Sequence, residues 1–403
     1  MSAEDYRYVT TQLYTTGSPN PVLCELPFTN VNFTTQISSI GTFTGEVLLS
    51  GINSSDYNVD AGTTPGKVAL YVFKGNNPVW SGVIWNREWD SSTQLLKITA
   101  QEMLSYYQHR VITGFTGSSY YNANAGGTGV GGLVYTAVDP ITILNDLLVG
   151  ATATTHGNIG ITKTGSTSSG ASVTRTYFDF EMKTVYQAWK DLSTSSTFFD
   201  FLTYPYVSAG LVSNRLNIGS PIIGVTYDAT SPSSTNFNFP GNLESYNFVE
   251  DGTQMANHLF GVGYGANQNR IITPYYDADK IAGSGTWPIL EKSVNYIDII
   301  SVPLLDLITQ GKLSAISSPP TTIQVVIPSY IDPIYNPNTS GYYNLGDQVQ
   351  LTITDDRFPS VTSGAGLKGI YRITAIDVEP GENGPDRVTL TLNLPLATNI
   401  LAG

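Results

Sequence analysis

The stretch Lys67–Ala100, KVALYVFKGNNPVWSGVIWNREWDSSTQLLKITA, decides how this chain is read. Val68, Leu70 and Val72 alternate with Ala69, Tyr71 and Phe73, and GNNP at 75–78 then turns the chain. Trp80, Gly82 and Ile84 alternate next, and DSST at 90–93 turns it again into QLLKITA at 94–100. A period of two in β-branched and aromatic residues, bounded by turn residues, marks long and mostly buried strands. The reading is a three-stranded meander.

A second meander is expected near the end of the chain. LGDQVQLTIT (345–354), KGIYRITAIDV (368–378) and DRVTLTLNL (386–394) each alternate, and EPGENGP (379–385) has the composition of a hairpin turn. The two meanders echo each other in pattern, Val68–Ala100 against Val349–Leu394, with little identity. Three strands are too few to stand alone, so each meander is expected to sit in its own barrel-like β domain.

The chain between them is mixed. QEMLSYYQHR (101–110) carries Met103, Leu104, Tyr106 and Tyr107 as one face of a short helix. Residues 114–133 read as a flexible loop. Asp139 and Pro140 open a helix with Ile141, Leu144, Leu147 and Leu148 on one face and Gly150 at its end. After a polar tract at 162–176, Thr184–Leu192 is an amphipathic helix leading into a strand over 198–204. A strand is expected at 243–249, then a short helix with Met255, Ala256, Leu259 and Phe260, and another helix over 304–315 before a Pro-rich segment at 317–320.

Composition narrows the function classes. The chain has 403 residues with 39 Gly, 25 Tyr and 22 Pro, only 13% charged residues and a net charge of −13. Gripping nucleic acid through phosphates, or resting on an anionic membrane, needs clustered Lys and Arg, and neither is expected here. One cysteine, Cys24, excludes an internal disulfide and any paired-cysteine zinc site. The first residues lack a basic stretch followed by an apolar core, so synthesis in a cytoplasm is expected. Sequons at Asn32, Asn53 and Asn338 are given no weight.

Three segments, KVALYVFKGNNPVWSGVIWNREWDSSTQLLKITAQEMLSYYQHR (67–110), LESYNFVEDGTQMANHLFGVGYG (243–265) and NLGDQVQLTITDDRF (344–358), carry a resemblance, to which WPILEKSVNYIDI (287–299) is expected to add. The chain resembles the baseplate or tail-tip hub proteins of tailed bacteriophages, specifically siphophage minor tail proteins infecting actinobacteria. The resemblance spans most of the chain from about residue 20. It implies a mainly β fold with α+β insertions, two barrel-like β hub domains per chain plus smaller α/β domains. The divisions implied are 1–104, 105–240, 241–330 and 331–403, the last packing with parts of 205–250. It also implies a homotrimer whose six β domains form a pseudo-sixfold ring adapting the tail tube to a threefold tip. Expected partners are distal tail or tail tube proteins, the tape-measure protein and tail fibre or receptor-binding proteins, in the virion. DNA would pass through the lumen without specific recognition, and no membrane insertion is expected. The long loops at 114–133 and 162–176 depart from the family pattern.

No residue is assigned to catalysis, cofactor binding or metal binding, and no cofactor is expected. A Ser/His/Asp triad would need His109, His156 or His258 beside a serine, and no Gly-x-Ser-x-Gly elbow is present. Asp179 and Glu181, expected to alternate on one strand face, and Asp355 with Asp356 are the only suspects for a paired-carboxylate glycosidase. A solvated edge or turn is the simpler reading. Asp277 and Asp279 lack the further ligands of a calcium loop, and GGTGVGG (126–132) lacks the Lys-Ser/Thr of a phosphate loop. Cys24 reads as core, His109 as a helix-end cation, and Trp80, Trp85 and Trp89 as core and interface rather than sugar platforms. The alternatives kept open are a receptor- or carbohydrate-binding tail protein and a glycan hydrolase.

Overall fold

The computed structural model describes residues 6–13, 21–50, 58–127, 129–194, 199–208, 211–231, 235–281, 287–296, 299–319, 321–328, 343–360, 366–381 and 386–394. The first strands are β1 (Tyr6–Gln12), β2 (Val22–Glu25), β3 (Thr29–Gln36) and β4 (Thr42–Leu48). After the one-turn helix α1 (Val59–Gly62) come β5 (Val68–Lys74), β6 (Asn77–Asp90) and β7 (Leu95–Glu102), the meander read from the alternation. A 3₁₀ turn, Met103–His109, follows in place of an α-helix and buries Met103, Leu104 and Tyr107.

The inserted unit contains β8 (Tyr121–Asn122), β9 (Gly132–Val138), α2 (Pro140–Ala153), β10 (Ile161–Gly165), β11 (Val173–Phe178), α3 (Val185–Ser193), β12 (Asp200–Ser208) and β13 (Leu211–Gly219). Asp139 caps α2 by accepting from the Ile141 N–H at 2.8 Å, as its position before Pro140 requires. Gly150 does not end this helix. It lies within it because Phe115 packs on the backbone there, and a Cβ would come 2.3 Å from the ring. Thr184 caps α3 through the Gln187 N–H. The two polar tracts hold strands after all, β8 and the start of β9 in the first, β10 and β11 in the second. The expected strand start at Phe198 lies outside the described residues, as do Asn53, Asn338 and most of the 379–385 turn.

The remaining elements are β14 (Asn236–Phe239), β15 (Ser245–Glu250), β16 (His258–Val262), β17 (Ile272–Tyr276), α4 (Ala278–Ile281), β18 (Glu291–Asn295), α5 (Val302–Ile316), β19 (Thr321–Ile327), β20 (Gln348–Ile353), β21 (Leu367–Glu379) and β22 (Arg387–Asn393). The helix expected at 255–260 is corrected. Residues 258–262 form β16, the central strand of a small sheet in the order β17-β16-β18. Apolar residues at 255, 256, 259 and 260 have a helical spacing, and the pairing of β16 on both edges overrides it. Leu259 and Gly261 point to α5.

The main sheet has 13 strands, in the order β15-β19-β22-β21-β3-β4-β7-β6-β5-β1-β2, with β20 and β14 continuing from β21. The expectation of two separate barrels is therefore corrected: among the described residues no sheet closes, and both meanders belong to one continuous sheet. The doubling itself is deeper than the meanders. Taking β1, β3, β4, β5, β6 and β7 in chain order, the spatial order is first, fourth, fifth, sixth, third, second. Taking β14, β15, β19, β20, β21 and β22, the spatial order is the same. The middle strands β6 and β21 are 14 and 13 residues long, and each bulges against the next strand, at Trp85 and at Thr374. The units differ in that β1 runs antiparallel to β5 while β14 runs parallel to β20.

One hydrophobic core serves both units, from Phe33, Phe43, Trp80 and Ile98 to Ile323, Leu351, Ile373 and Leu390. A second core fills the inserted unit around Leu144, Trp189 and Phe201, and it includes Ala69, Tyr71 and Val83 from the outer side of β5 and β6. β5 and the first half of β6 are buried on both faces, which is why β5 reads as nearly continuous apolar residues.

The β16 sheet depends on a close backbone approach. A Cβ at Gly261 would lie 1.8 Å from Thr309 Oγ1 of α5. Gly261→Ala is expected to destabilise the protein by about 1–3 kcal/mol, with part of the loss recovered by adding Thr309→Ala. Denaturant unfolding of the single and double variants checks this.

Candidate functional site: the junction between the two sheet units

None of the suspected chemical groups assembles into a reacting constellation. Asp179 and Glu181 are not on a strand; they fall in a 3₁₀ turn. Asp179 accepts from the Gly114 N–H at 3.0 Å and the Tyr121 hydroxyl at 2.9 Å, and Glu181 accepts from the Phe178 N–H at 3.1 Å. Asp355 closes its own turn, accepting from the N–H groups of Arg357 and Phe358 and from the Tyr246 hydroxyl. Asp277 accepts from the Lys280 N–H. Of the glycines in 126–132, Gly126, Gly131 and Gly132 pack tightly, Gly131 against the Tyr121 hydroxyl, while Gly127 and Gly129 face open space. His109 stacks on Trp85, and His258 faces Glu291 at 2.9 Å beside Phe260. His156 lies on an exposed turn. Trp80 is core and donates to the Thr34 carbonyl at 3.1 Å, while Trp85 donates to Ser105. Cys24 is buried against Thr10.

What the structure does build is a joint. The edge strand β3 of the first unit pairs antiparallel with the half of β21 beyond its bulge, in the register Ala375↔Gln36, Ile376↔Thr35, Asp377↔Thr34 and Val378↔Phe33. Phe33 and Val378 face the shared core. On the other face Asp377 accepts from Thr34 Oγ1 at 2.9 Å and Asn32 Nδ2 at 3.0 Å. Burial holds the Asp377 carboxyl above its ordinary range, and those two donors oppose the shift. A second tie crosses between the units where Asp386 accepts from the Tyr6 hydroxyl at 2.7 Å and faces Lys74 Nζ at 3.1 Å.

The inserted unit is locked against this joint by buried polar groups. Arg372 of β21 pairs with Asp200 of β12, their side chains only 6% and 9% exposed. The same guanidinium donates to the carbonyls of Gly346 at 3.0 Å and Ile223 at 2.8 Å, and Asp200 accepts from the Ile223 N–H at 2.8 Å. Gly224 and Gly346 cross there with φ of +96° and +98°; a Cβ on Gly224 would lie 2.2 Å from the Gly346 backbone. Asn214 of β13 donates to the Tyr71 hydroxyl at 2.8 Å and accepts from Ser81 at 2.7 Å. Ser38, just past β3, donates its N–H to the Phe201 carbonyl, and its own carbonyl accepts from Lys190 Nζ.

Glu102 ends β7 inside this joint. Its carboxyl accepts from the Gly41 N–H at 2.7 Å and borders a cavity of about 30 Å³ lined also by Trp80, Ser81, Thr203 and Asn344. Burial pushes its pKa up to about 8 from the ordinary 4.5, against the opposing hydrogen bonds from Gly41, Thr35 and Gln36.

Away from the part of β5 and β6 that the inserted unit covers, the face of the main sheet opposite the core is mostly polar. Directly opposed residues share a face, so Glu46, Lys97 and Glu88 form one row, and Thr44, Thr99 and Asn86 the next. Across the joint the row continues through Thr34, Asp377 and Thr389, and then Thr391, Gln324 and Asn247. Hydroxyls, amides and carboxylates dominate it. Sequence reasoning missed Arg372, Asp200, Glu102 and Asn214. The usable signal was a charged residue inside an apolar alternation, as in KGIYRITAIDV and LLKITAQEM.

Two outcomes follow from the joint. Arg372→Met strands Asp200 in the interior and is expected to cost about 3–5 kcal/mol in denaturant unfolding. Glu102 binds a proton in the folded chain where the unfolded chain has lost it. Its contribution to stability is therefore complete below pH 4.5 and is lost as pH rises to about 8. Calorimetry across that window should show the wild type losing several degrees of Tm relative to Glu102→Gln.

No family model matches the chain, and no curated protein matches it. Solved structures do. The 43 kDa tail protein of prophage MuSo2 from Shewanella oneidensis aligns with TM-score 0.57 at 10% identity, covering 96% of this chain and 98% of that one. The tail protein from Neisseria meningitidis MC58 aligns with TM-score 0.53 at 11% identity, over 96% of each chain. Prophage tail protein gp18 from Listeria monocytogenes EGD-e aligns with TM-score 0.50 at 12% identity, over 95% of this chain and 94% of that one. The likeness is one of fold and runs through nearly the whole length: this chain has the fold of phage tail proteins.

Proposed function

We propose that the chain is the hub of a phage tail tip, a non-enzymatic minor tail protein of the siphophage kind. Three copies form a ring at the distal end of the tail tube; the ring-forming parts are the two sheet units, the second of which draws β14, β15 and β19 from ahead of residue 330 as well as β20, β21 and β22. The observation that carries this reading is the doubling: two units of one strand order, joined edge to edge in one chain. Three such chains present six similar units, so one face can meet a sixfold tube while the other meets a threefold tip. Head-to-tail joints of this type close into rings when their rotation closes. Each open sheet unit would then be a stave of a barrel-like wall completed by its neighbours.

The fold shared with tail proteins supports placement in the virion, and synthesis in the host cytoplasm is part of the same proposal. Tail tube, tape-measure and fibre or receptor-binding proteins are the partners this position implies. The polar face of the main sheet suits the wall of a channel for DNA. Phosphates are held by clustered Lys and Arg, and along this face Lys97 stands between Glu46 and Glu88.

A second reading, a receptor- or carbohydrate-binding tail protein, is favoured by one observation. Phe178 and Phe180 stack at 5.3 Å in the inserted unit, and Phe180 is 66% exposed. Mass photometry of the purified chain separates the two. The hub reading expects a species of three times the chain mass. A stable monomer that binds glycans, and stops binding them in Phe180→Ala, would replace it with the second reading.

A further inference from the structure

The correspondence between the two units assigns a partner to two strand edges. Aligned at their bulges, Trp85 of β6 falls on Thr374 of β21, so Asn86–Trp89 falls on Ala375–Val378, the segment that receives β3. Following the ladders outward, Thr99 falls on Thr391, Thr44 on Gln324 and Asn32 on Asn247. Strand β15 is thus the counterpart of β3. Among the described residues, β15 pairs only with β19, and residues 86–90 of β6 pair only with β7.

We propose that β15 of one copy pairs antiparallel with the distal half of β6 of the next copy, in the register Phe248↔Trp89, Val249↔Glu88 and Glu250↔Arg87. This rests on the ring reading and adds to it which edges meet and in what alignment. Three features of the free chain agree with it. Trp89 lies opposite Leu96 on the core face yet is 46% exposed, and Phe248, already packed on Phe358 at 5.1 Å, would cover it. Glu250 and Arg87 meet as opposite charges. Arg87 uses Nη1 for the Asp60 carbonyl and Thr63, with the exposed Asp60 carboxylate 3.5 Å away, and a guanidinium has five donors, which leaves others for Glu250. Asn247 would stand to Glu88 as Asn32 stands to Asp377, an amide donating to a carboxylate across the joint.

Because Cys24 is the only cysteine and is buried, paired cysteines test the register directly. Directly opposed residues bring Cβ atoms within about 4.5–5.5 Å, whereas diagonal ones stand about 7 Å apart. Glu88→Cys with Val249→Cys is expected to give disulfide-linked multimers on a non-reducing gel, and Glu88→Cys with Asn247→Cys monomers. Glu250→Arg alone should raise the concentration needed for assembly about tenfold, and adding Arg87→Glu should restore it. A chain that assembles into trimers but cross-links through neither pair, or only the diagonal one, overturns this joint and leaves the ring reading standing. A chain that stays monomeric at every concentration overturns both.

Discussion

The four residue pairs between β3 and β21 are the contact on which the rest of the architecture depends. Each unit alone would end in an open edge, with backbone donors and acceptors turned to water. Joining the edges satisfies those groups and lets one core run from Phe43 through Ile373 without a polar seam. The cost is the burial of Asp377, offset by Thr34 and Asn32, and the geometry is fixed from outside by Arg372, Asp200 and Asn214. A buried pair such as Arg372–Asp200 adds little net stability over an apolar substitute, but it is expensive to break and tolerates few alternative packings. It holds the inserted unit at one angle to the joint.

Much of the local structure was legible in the sequence, and the reason is short range. Val349–Ile353 alternates because one side of the strand faces the core, Val68–Val72 is apolar throughout because a core lies on each side, and the turns between strands carry their own Gly, Asn and Pro. Asp139-Pro140 and Thr184 announced helix starts through chemistry that acts within three residues. The continuity of the sheet left no such trace. Phe33 and Val378 lie hundreds of positions apart, and nothing in either segment's period says whether its edge is open or paired. Two barrels were the natural expectation from two meanders, and the pairing of β3 with β21 merged them into one sheet.

The misread segments fail for equally physical reasons. Met255, Ala256, Leu259 and Phe260 satisfy a helical spacing, but Gly261 and Gly263 follow at once, and β16 finds partners on both sides. The strand β19 follows directly on Pro319 and Pro320, whose breaker signal hides the short apolar run Ile323–Ile327. Asp179 and Glu181 look like a strand-face pair only until the chain turns at Phe178. The buried polar groups of the joint were the hardest to see, since Glu102 and Arg372 sit in strands whose other residues read as ordinary core.

A chain that repeats one strand order and joins the two copies through a single ladder has a directly observable signature. Along Phe33–Gln36 and Ala375–Val378, alternate amides face opposite neighbours: one set faces β4 or β22, the other faces the joint. Amide hydrogen exchange resolved by residue therefore tests the central claim most directly. A joined sheet predicts that both sets exchange slowly and together. Slow exchange at every second amide only, with the joint-facing set as fast as a free edge, would contradict it.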